Sequence, residues 1–330
     1  MTSLPDTMHT VEIAEPGPPH VLSIGERPVP AVPAGHVLVK NTAAGVNGPD
    51  IIQRKGFYPP PPGASDIMGL EVSGEVVALG DQASRFDLGD RVCALTNGGG
   101  YAHYTAIDEN HCLPIPPDVA EVDAAGLCET YFTVWSNFFF NQALPENGLL
   151  LVHGGAGGIG STAIQLGKAF GLRVFATSGK EAGLAFCRDM GADRAINYKE
   201  EDFVEIVKKE GGGADIILDI IGGDYVDRNL KCANPDGRIV QLAFNHGSRV
   251  EANLMPVMLK RLTLTGSTLR PRPPTYKAAV ARDLEEKVWP LFADGTLKVH
   301  THKTFSMEEV RQAHELMESA QHQGKILLTF

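Results

Sequence analysis

The chain of 330 residues is longer than one hydrophobic core usually supports, which predicts two domains. A hydrophobic fraction of 43% and a charged fraction of 21%, with no apolar run near the ~18 residues of a membrane helix, exclude a disordered chain and a helical membrane protein. A formal net charge of -11 excludes a broad electrostatic grip on nucleic acid, which needs clustered lysine and arginine.

The opening stretch MTSLPDTMHTVEIAEPGPP has Asp6 and Glu12 among scattered prolines and no apolar h-region, so a cytoplasmic location is expected. Five cysteines without a CxxC pair fit a reducing compartment and read as small buried side chains. From Glu12 to about Pro117 the pattern is short strands cut by glycine and proline: HVLVKNTAAGVN, LEVSGEVVALG, DRVCALT and GYAHYTAI. That stretch is expected to be all-β, with residues 58–63, YPPPPG, as an extended loop.

Around Asp123 the texture changes to a long helix-like run, DAAGLCETYFTVWSNFFF. Aliphatic strands are then expected at 149–153, 173–177, 194–197, 215–220, 238–243 and 262–267, separated mostly by amphipathic helices. Six such strands predict an α/β fold with a doubly wound parallel sheet. Beyond the prolines of LRPRPP come a helix near 275–293, a polar strand KVHTHKTF, a helix opened by Ser306 with Glu309 as a capping box, and a last strand KILLTF. His300 and His302 share a strand face and read as solvated side chains, since two imidazoles without a third ligand rarely hold a metal. The closing elements are expected to rejoin the first domain. The expected division is therefore 1–123 with 269–330, and 124–268.

Gly155-Ala156-Gly157-Gly158-Ile159-Gly160 fits GxGxxG, between the strand LLLV and the helix STAIQLGKAF, with a second strand RVFAT beyond Gly171. In that setting the glycines permit a tight turn and close approach of a pyrophosphate to a helix N-terminus. The second strand ends in Thr177-Ser178-Gly179-Lys180, without the carboxylate that usually accepts from a ribose 2′-hydroxyl, so a 2′-phosphate is tolerated and NADPH is the expected cofactor.

Several segments together resemble the medium-chain dehydrogenase/reductase superfamily, and within it the zinc-free quinone oxidoreductase branch and its tumour-suppressor-inducible subgroup. They are GVNGPDIIQRKGFYPPPPG, GLEVSGEVVALG, HGGAGGIG, GADRAINYKEEDF, DIIGG and GKILLTF. The resemblance implies a GroES-like catalytic domain built from both chain ends, an inserted Rossmann domain binding NADPH, and a homodimer. Zinc-bearing relatives have cysteine where Asn47 stands and histidine where Leu70 stands, with Glu129 at another ligand position and a lobe of cysteines that this chain lacks. No metal is therefore expected.

Quinones and conjugated enones are already electrophilic and need less Lewis-acid help than an alcohol–aldehyde couple, so a small quinone or enone is the expected substrate. Asn47 and Tyr58 are the candidate donors to the developing oxyanion, and Asp50 is expected to tie its loop to backbone donors. The resemblance adds Thr133 near the nicotinamide ribose, Tyr198 at the adenosine phosphate and Lys325 near the cofactor, while Ser178 and Lys180 are the candidates for the 2′-phosphate. An enoyl-thioester or enone reductase, with Arg270, Arg272 and Lys277 at a basic rim, and a non-enzymatic NADPH-binding protein are the alternatives.

Overall fold

The computed structural model describes residues 4–330. It divides into two compact units, one running to Phe132 and resuming at Arg270, the other Thr133–Leu269. The first division falls inside a helix, nine residues past the change of sequence texture at 123/124, because that helix continues without a break from one unit into the other.

In the first unit β1 (Thr7–Ile13) and β2 (Leu22–Pro28) form an antiparallel ribbon. There follow β3 (His36–Val46), β4 (Glu71–Leu79), β5 (Arg91–Leu95), β6 (Tyr104–Asp108) and β7 (Cys112–Pro114). The region is not wholly β: α1 (Gly48–Arg54) interrupts it. Glycine and proline there read as breakers, yet a proline in the first turn gives up only an N–H that has no helical partner. The predicted run at 123–140 is two helices, α2 (Glu121–Ala124) and α3 (Cys128–Phe138).

The second unit contributes β8 (Leu149–Val152), β9 (Arg173–Ser178), β10 (Arg194–Asn197), β11 (Ala214–Asp219), β12 (Ala233–Gln241) and β13 (Thr263–Gly266). All pairings are parallel, in the order β10-β9-β8-β11-β12-β13. Each residue of β8 is fully buried, as expected of a central parallel strand covered on both faces. This is a Rossmann sheet, and its strand order reverses direction at β8, where ligands bind such folds.

The chain then returns to the first unit with β14 (Thr301–Ser306) and β15 (Lys325–Thr329). These extend its sheet to the order β14-β15-β3-β4-β5-β7, with β6 pairing β3. Ser306 and Glu309 form the expected capping box ahead of the helix Val310–Ser319. All five cysteines are free and buried.

Candidate active site and cofactor loop

Strand register assembles a polar cluster inside the first unit. Antiparallel pairing aligns Val46 with Ile326, which sets Asn47 beside Lys325 one step further on. On the other side of β3, Ala44 pairs with Val72, so Gly45 falls level with Glu71. A Cβ at Gly45 would overlap the Glu71 carboxylate, so only glycine admits that side chain here.

Lys325 Nζ donates to Glu71 Oε1 at 2.6 Å and to Asn47 Oδ1 at 2.5 Å. Asn47 Nδ2 donates to the same Glu71 oxygen at 2.8 Å and to the Gly45 carbonyl at 3.3 Å. Glu71 Oε2 accepts the backbone N–H of Glu129 at 2.8 Å. Glu71 is 0% exposed and Lys325 6%. An ion pair this deep offsets its desolvation only because the remaining lone pairs and protons also have partners. Asp50 ties the loop together as expected, accepting from Asn47 N–H at 2.8 Å, Gly69 N–H at 3.2 Å and the Tyr101 hydroxyl at 3.2 Å. Burial, opposed by those donors, pushes its pKa up to about 6.

A second group lies in the same unit. Arg270 Nε donates to the Asn97 carbonyl at 2.8 Å, and its Nη1 donates to Gln53 Oε1 at 2.8 Å and to the Tyr58 carbonyl at 3.4 Å. Its guanidinium carbon lies 5.3 Å from the Tyr58 ring centre, a cation–π contact that holds the ring beside the proline loop. Lys277 Nζ donates to Asn97 Oδ1 at 2.5 Å and to the Arg270 carbonyl at 2.9 Å. Burial lowers the pKa of Lys277 to about 8. The Tyr58 hydroxyl has no hydrogen-bond partner among the described residues, and burial together with the nearby Glu129 raises its pKa to about 12. Glu129 is partly exposed, but the protein packed around its carboxyl and the charge of Glu71 push its pKa up to about 8.

This donor set does not suit zinc. Asn47 offers a neutral amide whose oxygen already accepts from Lys325, Leu70 offers no donor, and an ammonium occupies the coordinating oxygen of Glu71. Among the described residues no three His, Cys, Asp or Glu side chains are grouped for a metal.

The second unit carries the glycine loop. It leaves β8 at Gly154 (φ +71°), and α4 (Gly158–Ala169) begins after Gly157 with no side-chain cap. A Cβ at Gly160 would collide with the Gly154 carbonyl and lie 2.6 Å from Gly155 Cα, and one at Gly155 would lie 2.7 Å from Cys187 Sγ. The loop therefore packs tightly on its own backbone and presents the uncapped N–H groups that open α4. A pyrophosphate fits that arrangement.

Beneath the loop runs a chain of buried hydrogen bonds. Asn229 Nδ2 donates to Asp219 Oδ2 at 2.9 Å, which leaves Asn229 Oδ1 to accept from His153 Nε2 at 2.8 Å. His153 Nδ1 then accepts from the Thr177 hydroxyl at 3.2 Å. Burial lowers the His153 pKa and keeps the ring neutral, as this direction of donation requires. Asp219 Oδ1 takes the N–H groups of Ile221 and Gly222 at 2.6 and 3.0 Å, so the turn after β11 is tied to the turn after β8.

At the end of β9, Ser178 Oγ fills the space beside Gly183, and the Tyr198 hydroxyl lies against Gly179. Lys180 is exposed and precedes α5 (Glu181–Asp189). Glu181 pairs with Arg188 at 2.8 Å within that helix. Thr133 lies in α3, where its carbonyl accepts from Asn137 Nδ2 at 2.8 Å.

The sequence-predicted residues thus fall into two sets. Asn47, Tyr58 and Lys325 belong to the first unit; Thr133, the loop Gly155–Gly160, Ser178, Lys180 and Tyr198 belong to the second. Lys325, expected near the cofactor, is bonded to Asn47 and Glu71, and the Asn47 amide is engaged within the same network. Arg270 and Lys277 form no rim: they are 6% and 1% exposed. Sequence reasoning singled out Glu129 only as the residue at a ligand position of zinc-bearing relatives. Nothing in the sequence marked Lys277 as buried, since a lysine on an amphipathic helix reads as solvated.

A Rossmann unit with a glycine cradle, set in the chain between the two parts of a β-rich unit, is the architecture of a nucleotide-binding protein. The family described as alcohol dehydrogenase GroES-like domain matches residues 33–117, and the family described as zinc-binding dehydrogenase matches residues 158–285. The chain is 30% identical over 326 residues to a quinone oxidoreductase of Rattus norvegicus, covering 97% of each. It is 27% identical over 326 residues to a phenolphthiocerol/phthiocerol polyketide synthase polypeptide of Mycobacterium tuberculosis, covering 97% of this chain and 15% of that one. The solved structure of Escherichia coli quinone oxidoreductase complexed with NADPH superposes with a TM-score of 0.85 at 28% identity, covering 98% of this chain and 100% of that one. The chain belongs to the medium-chain dehydrogenase/reductase superfamily.

Proposed function

We propose that the protein is a zinc-independent, NADPH-dependent reductase of quinones, working in the cytoplasm as a homodimer. The observation that carries the reading is the Asn47–Lys325–Glu71 network, which stands where a catalytic metal would need donors. A site without a Lewis acid favours an acceptor that is already electrophilic. Full-length similarity to quinone oxidoreductases and to an NADPH-bound structure supports both acceptor and cofactor. Bound NADPH supplies the hydride.

In this reading the uncapped start of α4 and the glycine cradle hold the pyrophosphate, and Ser178, Lys180 and Tyr198 meet the 2′-phosphate. Thr133 faces the nicotinamide ribose. Tyr58, whose hydroxyl has no partner among the described residues, donates to the oxygen that becomes negative in the transition state. Asn47 and Lys325 hold Glu71, and through it the start of α3, in place. Burial of Arg270 and Lys277 removes two of the three basic residues on which an enoyl-thioester groove would rest.

The dimer reading rests on β13. It lies at the edge of its sheet with all four residues exposed, and Leu254, Met255, Met258 and Leu259 nearby in sequence are 53–70% exposed. Such an edge favours pairing with a second copy. Among the described residues no helix is long and apolar enough to cross a membrane. NADPH oxidation followed with a panel of quinones, enones and enoyl thioesters tests the function. Turnover confined to enoyl thioesters would replace this reading with the second, and inertness toward all three classes would leave a binding protein.

A further inference from the structure

We propose that the buried relay Asp219–Asn229–His153–Thr177 sets the affinity for NADPH, with Asn229 and His153 as positioning residues that act through Thr177 on the glycine loop. This role rests on NADPH binding at that loop and on no choice of acceptor. All four residues lie in the second unit and are 0–1% exposed. At that burial none of them reaches a ligand, so whatever they contribute to binding passes through the backbone they hold.

The relay has one direction. A carboxylate only accepts, and that of Asp219 takes the N–H groups of Ile221 and Gly222 and the side-chain amide of Asn229. This turns the Asn229 carbonyl oxygen toward His153, puts the imidazole proton on Nε2, and leaves Nδ1 to accept from the Thr177 hydroxyl at 3.2 Å. With its proton committed to His153, Thr177 Oγ1 presents its lone pairs to the Gly154 N–H, 3.4 Å away. The Thr177 carbonyl accepts the Gly155 N–H at 3.0 Å. One residue therefore holds the first two N–H groups of the loop, and a carboxylate three links away sets its hydroxyl.

Packing leaves the relay little freedom. The His153 ring makes T-shaped contacts with Phe203 and Tyr225, ring centres 4.7 and 4.8 Å away, and its backbone N–H donates to the Leu218 carbonyl of β11 at 3.0 Å. The same bonds thus join the ends of β8, β9 and β11, at the edge where a parallel sheet binds its ligands. Apolar groups of the same shape could fill this space at little cost in stability, so what the polar chain adds is a single orientation. A loop already held in one shape loses less entropy when the cofactor arrives than one that must first be ordered.

The test titrates NADPH, followed by its fluorescence, into the full-length parent, Thr177→Val, Thr177→Ser, Asn229→Leu and the double variant Thr177→Val/Asn229→Leu. The melting temperature of each is read without cofactor. Thr177→Val, which keeps the shape and loses the hydroxyl, should weaken NADPH ~10-fold, and Thr177→Ser should return the affinity to within about threefold of the parent. Asn229→Leu, which touches no atom of the loop, should weaken NADPH by a similar factor. Since either change already cuts the relay, the double variant should lose no more than ~20-fold, well short of the ~100-fold to which independent losses multiply. A merely structural network would lower the melting temperature and leave the NADPH dissociation constant of the folded protein unmoved.

Should Asn229→Leu fail to fold, the two Thr177 substitutions decide the matter. A Thr177→Val affinity within about threefold of the parent, a Thr177→Ser loss equal to that of Thr177→Val, or single losses that multiply overturns the proposal and leaves NADPH binding intact. A parent that does not bind NADPH overturns both.

Discussion

Replacing Lys325 by methionine removes the cation from a carboxylate that is 0% exposed and retains only the donors Asn47 Nδ2 and Glu129 N–H. Breaking one side of a buried pair costs roughly 3–5 kcal/mol, because the remaining charge stays desolvated. For a unit of about 190 residues, an unfolding entropy near ~0.4 kcal/mol/K converts ~4 kcal/mol into a fall of about 10 °C in its melting temperature. The partner substitution Glu71→Gln should cost a similar amount. The double variant should recover most of the loss, with a coupling energy of at least ~2 kcal/mol in a cycle read by urea unfolding. A Lys325→Met loss under ~1 kcal/mol, or single losses that simply add, would show that the pair contributes little net stability and would refute this reasoning.

Five further outcomes are expected. Gly160→Ala, whose Cβ would strike the Gly154 carbonyl, should destabilise the protein by about 1–3 kcal/mol. Gly157→Ala, with the nearest atom 3.8 Å away, should leave melting unchanged yet weaken NADPH at least ~10-fold; equal melting of the two variants would contradict the cradle. Tyr58→Phe should lower quinone turnover by up to ~10²-fold with little change in NADPH affinity, and unchanged turnover removes it from the mechanism. The parent should bind NADPH roughly ten- to a hundredfold more tightly than NADH and Lys180→Ala should narrow that gap; a gap left intact shows the phosphate is read elsewhere. Light scattering should give a dimer that Leu264→Lys, on the exposed edge strand, converts to monomer; a monomeric parent ends the edge-pairing reading.

The Rossmann half was legible because each of its strands is a short aliphatic block bounded by helices, so β8 and β10 fall within a residue of their expected limits. The β-rich half was read less well. The signal for α1 is a proline and a carboxylate in seven residues, too short for a helical period to show. The Asn47–Lys325 contact spans 278 positions and depends on β3–β15 register, which no local pattern reveals. Thr177 shows the same limit in the second unit. The sequence shows that no carboxylate stands there, while the structure adds that its hydroxyl points inward to His153.

The position of β15 carries a consequence for how the protein is made. It lies between β14 and β3, inside the sheet, and brings the ammonium that neutralises Glu71. A ribosome therefore releases the β-rich half in two instalments, with β3, β4 and Glu71 early and their covering strand last. Residues 133–269 are contiguous and can complete their own sheet in the interval. Until Lys325 emerges, the Ala43–Val46 end of β3, beyond the stretch that β6 pairs, has no strand on that side and Glu71 has no counter-ion, so the nascent chain passes through a stage with part of a sheet edge open. A stop codon before residue 325 would leave that stage permanent. The expected product is an intact nucleotide-binding half attached to an aggregating one.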